Sequence, residues 1–147
     1  MPAELIAIAS DHAGFALKSV LRAELEALGY RVLDLGANSS ESVDYPDFAA
    51  AMARTIESKQ ALRGVLICGT GIGMSIAANR SRAVRAAVCH DVSSAGLARR
   101  HNDANVLALG ARLIGEEVAK DCLRTFLSTA FDGGERHGRR VSKLSGA

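Results

Sequence analysis

Cys68 opens the run Cys68-Gly69-Thr70-Gly71-Ile72-Gly73, a thiol followed by alternate glycines. Alternate glycines let the backbone turn so that several N–H groups face one concavity, a shape that attracts anions and developing oxyanions. A thiol at its mouth has two readings, a small apolar residue filling the core or a base beside an anion-stabilising loop. Position favours function for Cys68. Cys89 and Cys122 read as core, one in a strand and the other on an apolar helix face. The same glycines nearly meet the dinucleotide fingerprint G-x-G-x-x-G, with Asp91 about twenty residues on as the ribose acid. Met74, however, stands in place of the last glycine, and no P-loop lysine follows. A tight strand–helix turn without a ligand is the remaining alternative.

Other reactive side chains stand at comparable places. Ser10-Asp11-His12, Asp44-Tyr45, His90-Asp91 and Gly110-Ala111-Arg112 each come after an apolar run, as the glycine loop does. His101-Asn102-Asp103 instead precedes one. There His101 reads as a cation beside the negative end of a helix dipole, and Asn102 as a turn former. His12, His90 and His137 read as capping or solvated imidazoles. No two histidines are three or four apart on a helix, so no metal site is expected.

The elements that must position these groups alternate. Leu5–Ala9 reads as a buried strand, followed by a helix with Leu17, Val20, Leu21, Leu25 and Leu28 on one face and Gly29 at its end. Arg31–Leu35 is a second strand, and residues 37–47 a loop leading to an Ala-rich helix over Phe48–Glu57. Gly64–Cys68 is a third strand, running into the glycine loop and a helix to Asn79. Ala83–Cys89 is a fourth strand, Val92–Arg100 a helix, Val106–Leu109 a fifth strand, and about Glu116 to Leu127 the last helix. Alternating strands and helices predict an α/β fold, a single-domain three-layer sandwich around a five-stranded parallel sheet of Rossmann-like type. Residues 1–130 form this domain. Beyond Gly133-Gly134 the chain turns polar, and residues 131–147 read as a basic arm of the same domain, not as a packed element. In such sheets ligands bind beyond the carboxyl ends of the strands, where Asp11, Tyr45, Cys68 and Arg112 all fall.

Composition narrows the function classes. A chain of 147 residues, 48% hydrophobic and 23% charged, can bury one domain's core. Its net charge of +2 lies wholly in residues 131–147, with four basic and two acidic side chains, so no broad nucleic-acid face is expected. Three scattered cysteines make no disulfide framework. Glu4 and Asp11 stand where a secretory signal needs cations and an apolar run. The uncharged stretch Gly64–Asn79 carries four glycines, too broken to span a bilayer. The expectation is a soluble, reduced, cytoplasmic domain with neither nucleic acid nor membrane as partner.

Taken in order, these motifs resemble the ribose-5-phosphate isomerase type B family, which also includes galactose-6-phosphate isomerase subunits. The resemblance rests on Ser10-Asp11-His12-Ala13-Gly14, Asp44-Tyr45-Pro46, Cys68-Gly69-Thr70-Gly71-Ile72-Gly73, Ser75-Ile76-Ala77-Ala78-Asn79, His101-Asn102-Asp103-Ala104-Asn105, Gly110-Ala111-Arg112 and the arm from Gly133. It implies an aldose–ketose isomerase of the pentose phosphate pathway, converting ribose 5-phosphate and ribulose 5-phosphate through an enediol without metal or other cofactor. By position, Cys68 would be the base. The N–H groups of Gly69, Thr70, Gly71, Ile72 and Gly73, with the Thr70 hydroxyl, would hold the enediolate oxygen. His101 would donate the proton that opens the furanose, with Asp11 assisting and Asn102 holding a hydroxyl. His12, Arg112, Arg136 and Arg140 would contact substrate, the arginines on phosphate, and Tyr45 would line the pocket. Some relatives place a glutamate base where this chain has Met74, so the resemblance is to the cysteine-base type. Glu135 intervenes between the double glycine and Arg136, a departure that bears on the phosphate grip. Tetrose or hexose phosphates (galactose 6-phosphate or allose 6-phosphate), and a non-catalytic sugar-phosphate or nucleotide sensor, are the alternatives.

Topology adds an expectation. His101 and Asn102 precede the fifth strand, whereas Asp11, Cys68 and Arg112 follow strands. A strand's length separates the two sets, so a homodimer with shared active sites is expected, or a tetramer built from it.

Overall fold

The structure is a computed structural model that describes residues 3–146. Met1, Pro2 and Ala147, the outer ends of the expected domain and arm, lie outside the described residues. Five strands are β1 (Leu5–Ser10), β2 (Arg31–Asp34), β3 (Arg63–Cys68), β4 (Ala86–Val88) and β5 (Val106–Gly110). Six helices are α1 (Phe15–Ala27), α2 (Tyr45–Glu57), α3 (Ile72–Ala78), α4 (Val92–Asn102), α5 (Glu116–Ser128) and α6 (Glu135–Leu144). Every strand pair is parallel, in the order β2-β1-β3-β5-β4. The expected α/β class and its five-stranded parallel sheet are borne out.

Alternation along the strands splits the core in two. Ile6, Ile8, Val65, Ile67, Leu107 and Leu109 point to one face, where α1, α4 and α5 cover them with Leu21, Ala95 and Phe126. Ala7, Ala9, Leu66, Cys68, Val106 and Ala108 point to the other, beneath Met52 of α2 and Met74 of α3. The central strands are buried on both faces, which is why they read as unbroken apolar runs.

Three elements depart from expectation by two residues or more. Helix α2 starts at Tyr45, three residues early, because Asp44 is extended and Pro46 suits a first helical turn. Strand β4 is only Ala86–Val88, since Ser81 closes a turn with the N–H of Val84 and the Asn105 side chain takes the N–H of Arg85. Helix α4 carries on through His101 and Asn102 and stops at Asp103, whose φ is +46°. The arm is also helical. Helix α6 buries none of its residues, which explains why its polar sequence gave no sign of an element.

Register sets the site. Ser10 pairs with Ile67 and Cys68 with Gly110, so β1, β3 and β5 end nearly level. Chain direction across the sheet reverses between β1, whose next neighbour in sequence is β2, and β3, which leads to the other side. The carboxyl ends of β1 and β3 flank that switch point, the usual place for a ligand crevice.

Candidate active site

At that switch point lies a cleft of about 290 Å³. Asp11, His12 and Ala13 enter it from β1, Cys68, Gly69, Thr70 and Gly73 from β3, Arg112 from β5, and Tyr45 from the start of α2. Asp11 is nearly buried, and its Oδ1 accepts the Gly14 N–H at 3.0 Å, fixing the turn into α1. The Val43 N–H donates to His12 Nδ1 at 3.1 Å, tying the β2–α2 loop to the cleft wall.

Cys68 is 4% exposed and accepts the Gly71 N–H on its sulfur at 3.1 Å. Two glycines in this loop are required by geometry. Gly71 has φ +79°, and a Cβ there would stand 3.0 Å from the Leu109 backbone. A Cβ on Gly73 would lie 2.5 Å from the Tyr45 ring, so Tyr45 reaches the cleft only across a bare backbone. Arg112 lies against Gly69, its Nη1 within 3.3 Å of where a Cβ would stand, and its own N–H donates to the Gly69 carbonyl at 3.0 Å. Thr70 Oγ1 accepts the Ile72 N–H at 3.2 Å, and Ile72 itself points outward at 52% exposure.

The remaining candidates lie elsewhere. His101 and Asn102 end α4 at the amino end of β5 and do not line the cleft. Asn102 instead borders a groove of about 410 Å³ with Arg82, Ala87 and Leu144. Arg136 and Arg140 are exposed on α6, which is joined to α4 where His137 stacks on His101, ring centroids 4.5 Å apart. From Val106 to Gly110 is four residue steps of about 3.3 Å, so roughly 13 Å of strand separates the two groups.

Other sequence readings find their places. Asp91 caps α4, its Oδ1 accepting the Ser94 N–H at 2.6 Å, a bond that holds the carboxyl below its usual range. That role accounts for it without a ribose. Burial pushes the Cys122 thiol up to about 11 and raises Cys89 as well, in keeping with core residues. Met74 is fully buried against α2. Two partners escaped the sequence reading, the Val43 N–H and His137. A backbone donor has no sequence signal, and the stack of His137 depends on a helix the sequence did not announce.

A family model described as Ribose/Galactose Isomerase matches residues 6–144. The chain belongs to the ribose/galactose isomerase family. It is an enzyme, a sugar-phosphate isomerase, which sets the sensor alternative aside. Ribose-5-phosphate isomerase B of Escherichia coli is 45% identical over 140 residues, covering 95% of this chain and 93% of that protein. D-erythrulose-4-phosphate isomerase of Pectobacterium atrosepticum is 45% identical over 130 residues, 88% of this chain and 86% of that one. A crystal structure of a ribose 5-phosphate isomerase from Thermotoga maritima superposes with a TM-score of 0.94 at 53% identity, covering 98% of this chain and 99% of that one. Among the described residues no helix is long and apolar enough to cross a membrane.

Proposed function

We propose that this family member interconverts D-ribose 5-phosphate and D-ribulose 5-phosphate by proton transfer through an enediolate, with Cys68 as the base. The observation that carries the reading is the placement of the Cys68 sulfur beside Thr70 and a glycine loop, opposite Asp11, in a cleft of sugar size. Met74 is buried in the core, so a glutamate-type base at that position has no counterpart here.

The open aldose lies with C2 beside Cys68. The sulfur takes the C2 proton as the C2–H pair forms the C1–C2 double bond and the C1 carbonyl oxygen gains the negative charge. The same proton returns to C1 while the O2 proton passes to O1, leaving the ketose. Within the loop, the Gly71 N–H already serves Cys68 and the Ile72 N–H serves Thr70. Stabilising the oxyanion therefore falls to the other loop N–H groups and the Thr70 hydroxyl. Arg112 suits phosphate, His12 and Tyr45 the sugar chain, and the free oxygen of Asp11 a ring hydroxyl.

His101 and Asn102 belong to this chemistry through a second subunit. Their position at the opposite sheet edge supports a two-fold dimer in which each chain lends His101, Asn102, Arg136 and Arg140 to its partner's Cys68 cleft. His101 then protonates the ring oxygen as the bond from C1 to that oxygen breaks, while the free oxygen of Asp11 takes the O1 proton and C1 becomes the open aldehyde. Unpaired cysteines fit a reducing compartment, and we place the enzyme in the cytoplasm.

The test is kcat/KM on four-, five- and six-carbon aldose phosphates. Ribose 5-phosphate should exceed the others by tenfold or more. Preference for a tetrose phosphate would move the chain toward its erythrulose-phosphate relative and overturn the pentose assignment.

A further inference from the structure

We propose that the Val43 backbone N–H fixes His12 as the neutral Nε2–H tautomer, so that His12 acts on the sugar phosphate only as a hydrogen-bond donor. The inference rests on reading the Cys68 cleft as the substrate site. An amide N–H can only donate, and it stands 3.1 Å from His12 Nδ1. That nitrogen must therefore carry a lone pair, and in a neutral imidazole the single ring proton then sits on Nε2. The imidazolium, with protons on both nitrogens, would set two donors against each other and lose the Val43 bond.

The loop that carries Val43 is held firmly at its other end. Lys18 is 2% exposed, and its ammonium donates to the Ala37 carbonyl at 2.7 Å and to Asp34 Oδ1 at 2.6 Å. The backbone of Ser10 brackets the same place, its N–H on the Gly36 carbonyl and its carbonyl receiving the Ala37 N–H, both at 2.7 Å. Val43 is thus a positioning residue that works through its main chain, presented by a loop anchored to β1 and α1. The tautomer divides labour in the cleft. Asp11 and Cys68 are its acceptors, and His12 joins Arg112 as a donor toward substrate oxygens.

Long-range proton–nitrogen correlation on the 15N-labelled full-length chain reads the tautomer directly at neutral pH, with the His12 ring assigned by its loss in His12→Gln. The expected pattern is a protonated Nε2 and an unprotonated Nδ1. A proton on Nδ1, alone or together with Nε2, overturns the proposal. Kinetics supply the functional arm. In His12→Gln the amide nitrogen reaches about where Nε2 stands, whereas in His12→Asn the side-chain oxygen replaces Nδ1 and no donor reaches the cleft. The glutamine variant should retain roughly ten- to a hundredfold more kcat/KM than the asparagine variant, the range of a hydrogen bond to a charged group. Equal losses, or a better asparagine variant, would mean that holding Val43 is all His12 does, and the donor role fails. Wild-type turnover of ribose 5-phosphate is measured first, so failure of the substrate assignment is seen before any variant is compared.

Discussion

The N–H of Gly71 points at the sulfur of Cys68 across 3.1 Å, so the left-handed glycine that turns the loop also holds its thiol. Of the three cysteines, only Cys68 lines the cleft. Burial raises the thiols of Cys89 and Cys122, the latter to about 11, so near pH 8 both stay protonated and unreactive. Iodoacetamide should therefore modify one thiol per native chain, abolish activity, and be slowed by substrate. Cys68→Ala should lower kcat by roughly 10²–10⁴-fold with a much smaller change in KM. Mass spectrometry of the alkylated chain and steady-state rates check both. Near wild-type turnover in the alanine variant would remove Cys68 from the reaction.

Asp34 carries the pH dependence that the structure makes explicit. Burial pushes its carboxyl up, but the Lys18 ammonium, the Gly36 N–H and Arg22 together outweigh burial and hold it below the ordinary carboxylate value. A lowered folded pKa contributes stability above the unfolded value of about 3.9, and that contribution is lost as pH falls through the folded value. Asp34→Asn should cost about 1–3 kcal/mol at pH 7, because it leaves Lys18 buried without its counter-ion, discounted for the partial exposure of Asp34. The gap between variant and wild type in urea midpoints should narrow below pH 4. A gap that persists unchanged at pH 3 would show that the carboxylate is not what Lys18 requires.

The stack of His137 on His101 gives α6 a contact that its own sequence does not suggest, since none of the helix's residues is buried. His137→Ala should loosen α6 and with it Arg136 and Arg140. If the two arginines grip phosphate, KM for the sugar phosphate should rise roughly tenfold while kcat falls less. Amide exchange over residues 135–144 should quicken with the sheet unaffected. Unchanged KM alongside faster exchange would separate the arm from phosphate binding.

What could be read from the sequence follows from which interactions are local. Apolar runs such as Val65–Cys68 mark strands because both faces of the sheet are covered, and Gly71 marks a turn because its backbone needs φ +79° beside Leu109. The cleft residues Asp11, Cys68 and Arg112 were legible for the same reason, since each lies at the carboxyl end of its strand or within two residues of it. Helix α6 was not, because none of its residues is buried, and the stack of His137 on His101 follows no apolar pattern. Nor was the hold on His12. Val43 contributes a main-chain N–H from 31 residues away, and no side-chain pattern encodes that.

The sheet edges yield the last prediction. Cys68 and Gly110 pair at the carboxyl edge, whereas His101 lies before β5, roughly 13 Å of strand away. If His101 is the proton donor to the furanose and Cys68 the base at C2, both must touch one small sugar, and the His101 that serves a given Cys68 should come from another chain. An equal mixture of inactive Cys68→Ala and His101→Ala chains, unfolded and refolded together, should form about half heterodimers by random pairing. Each heterodimer holds one site with both groups intact and one with both missing. The mixture should recover roughly a quarter of wild-type activity toward ribose 5-phosphate, while each variant refolded alone stays inactive. His101→Ala alone should still exchange the C1 proton of ribulose 5-phosphate, which has no furanose to open, because Cys68 remains. Confirmed heterodimers no more active than their parents would place both groups in one chain's site and refute the two-edge assignment.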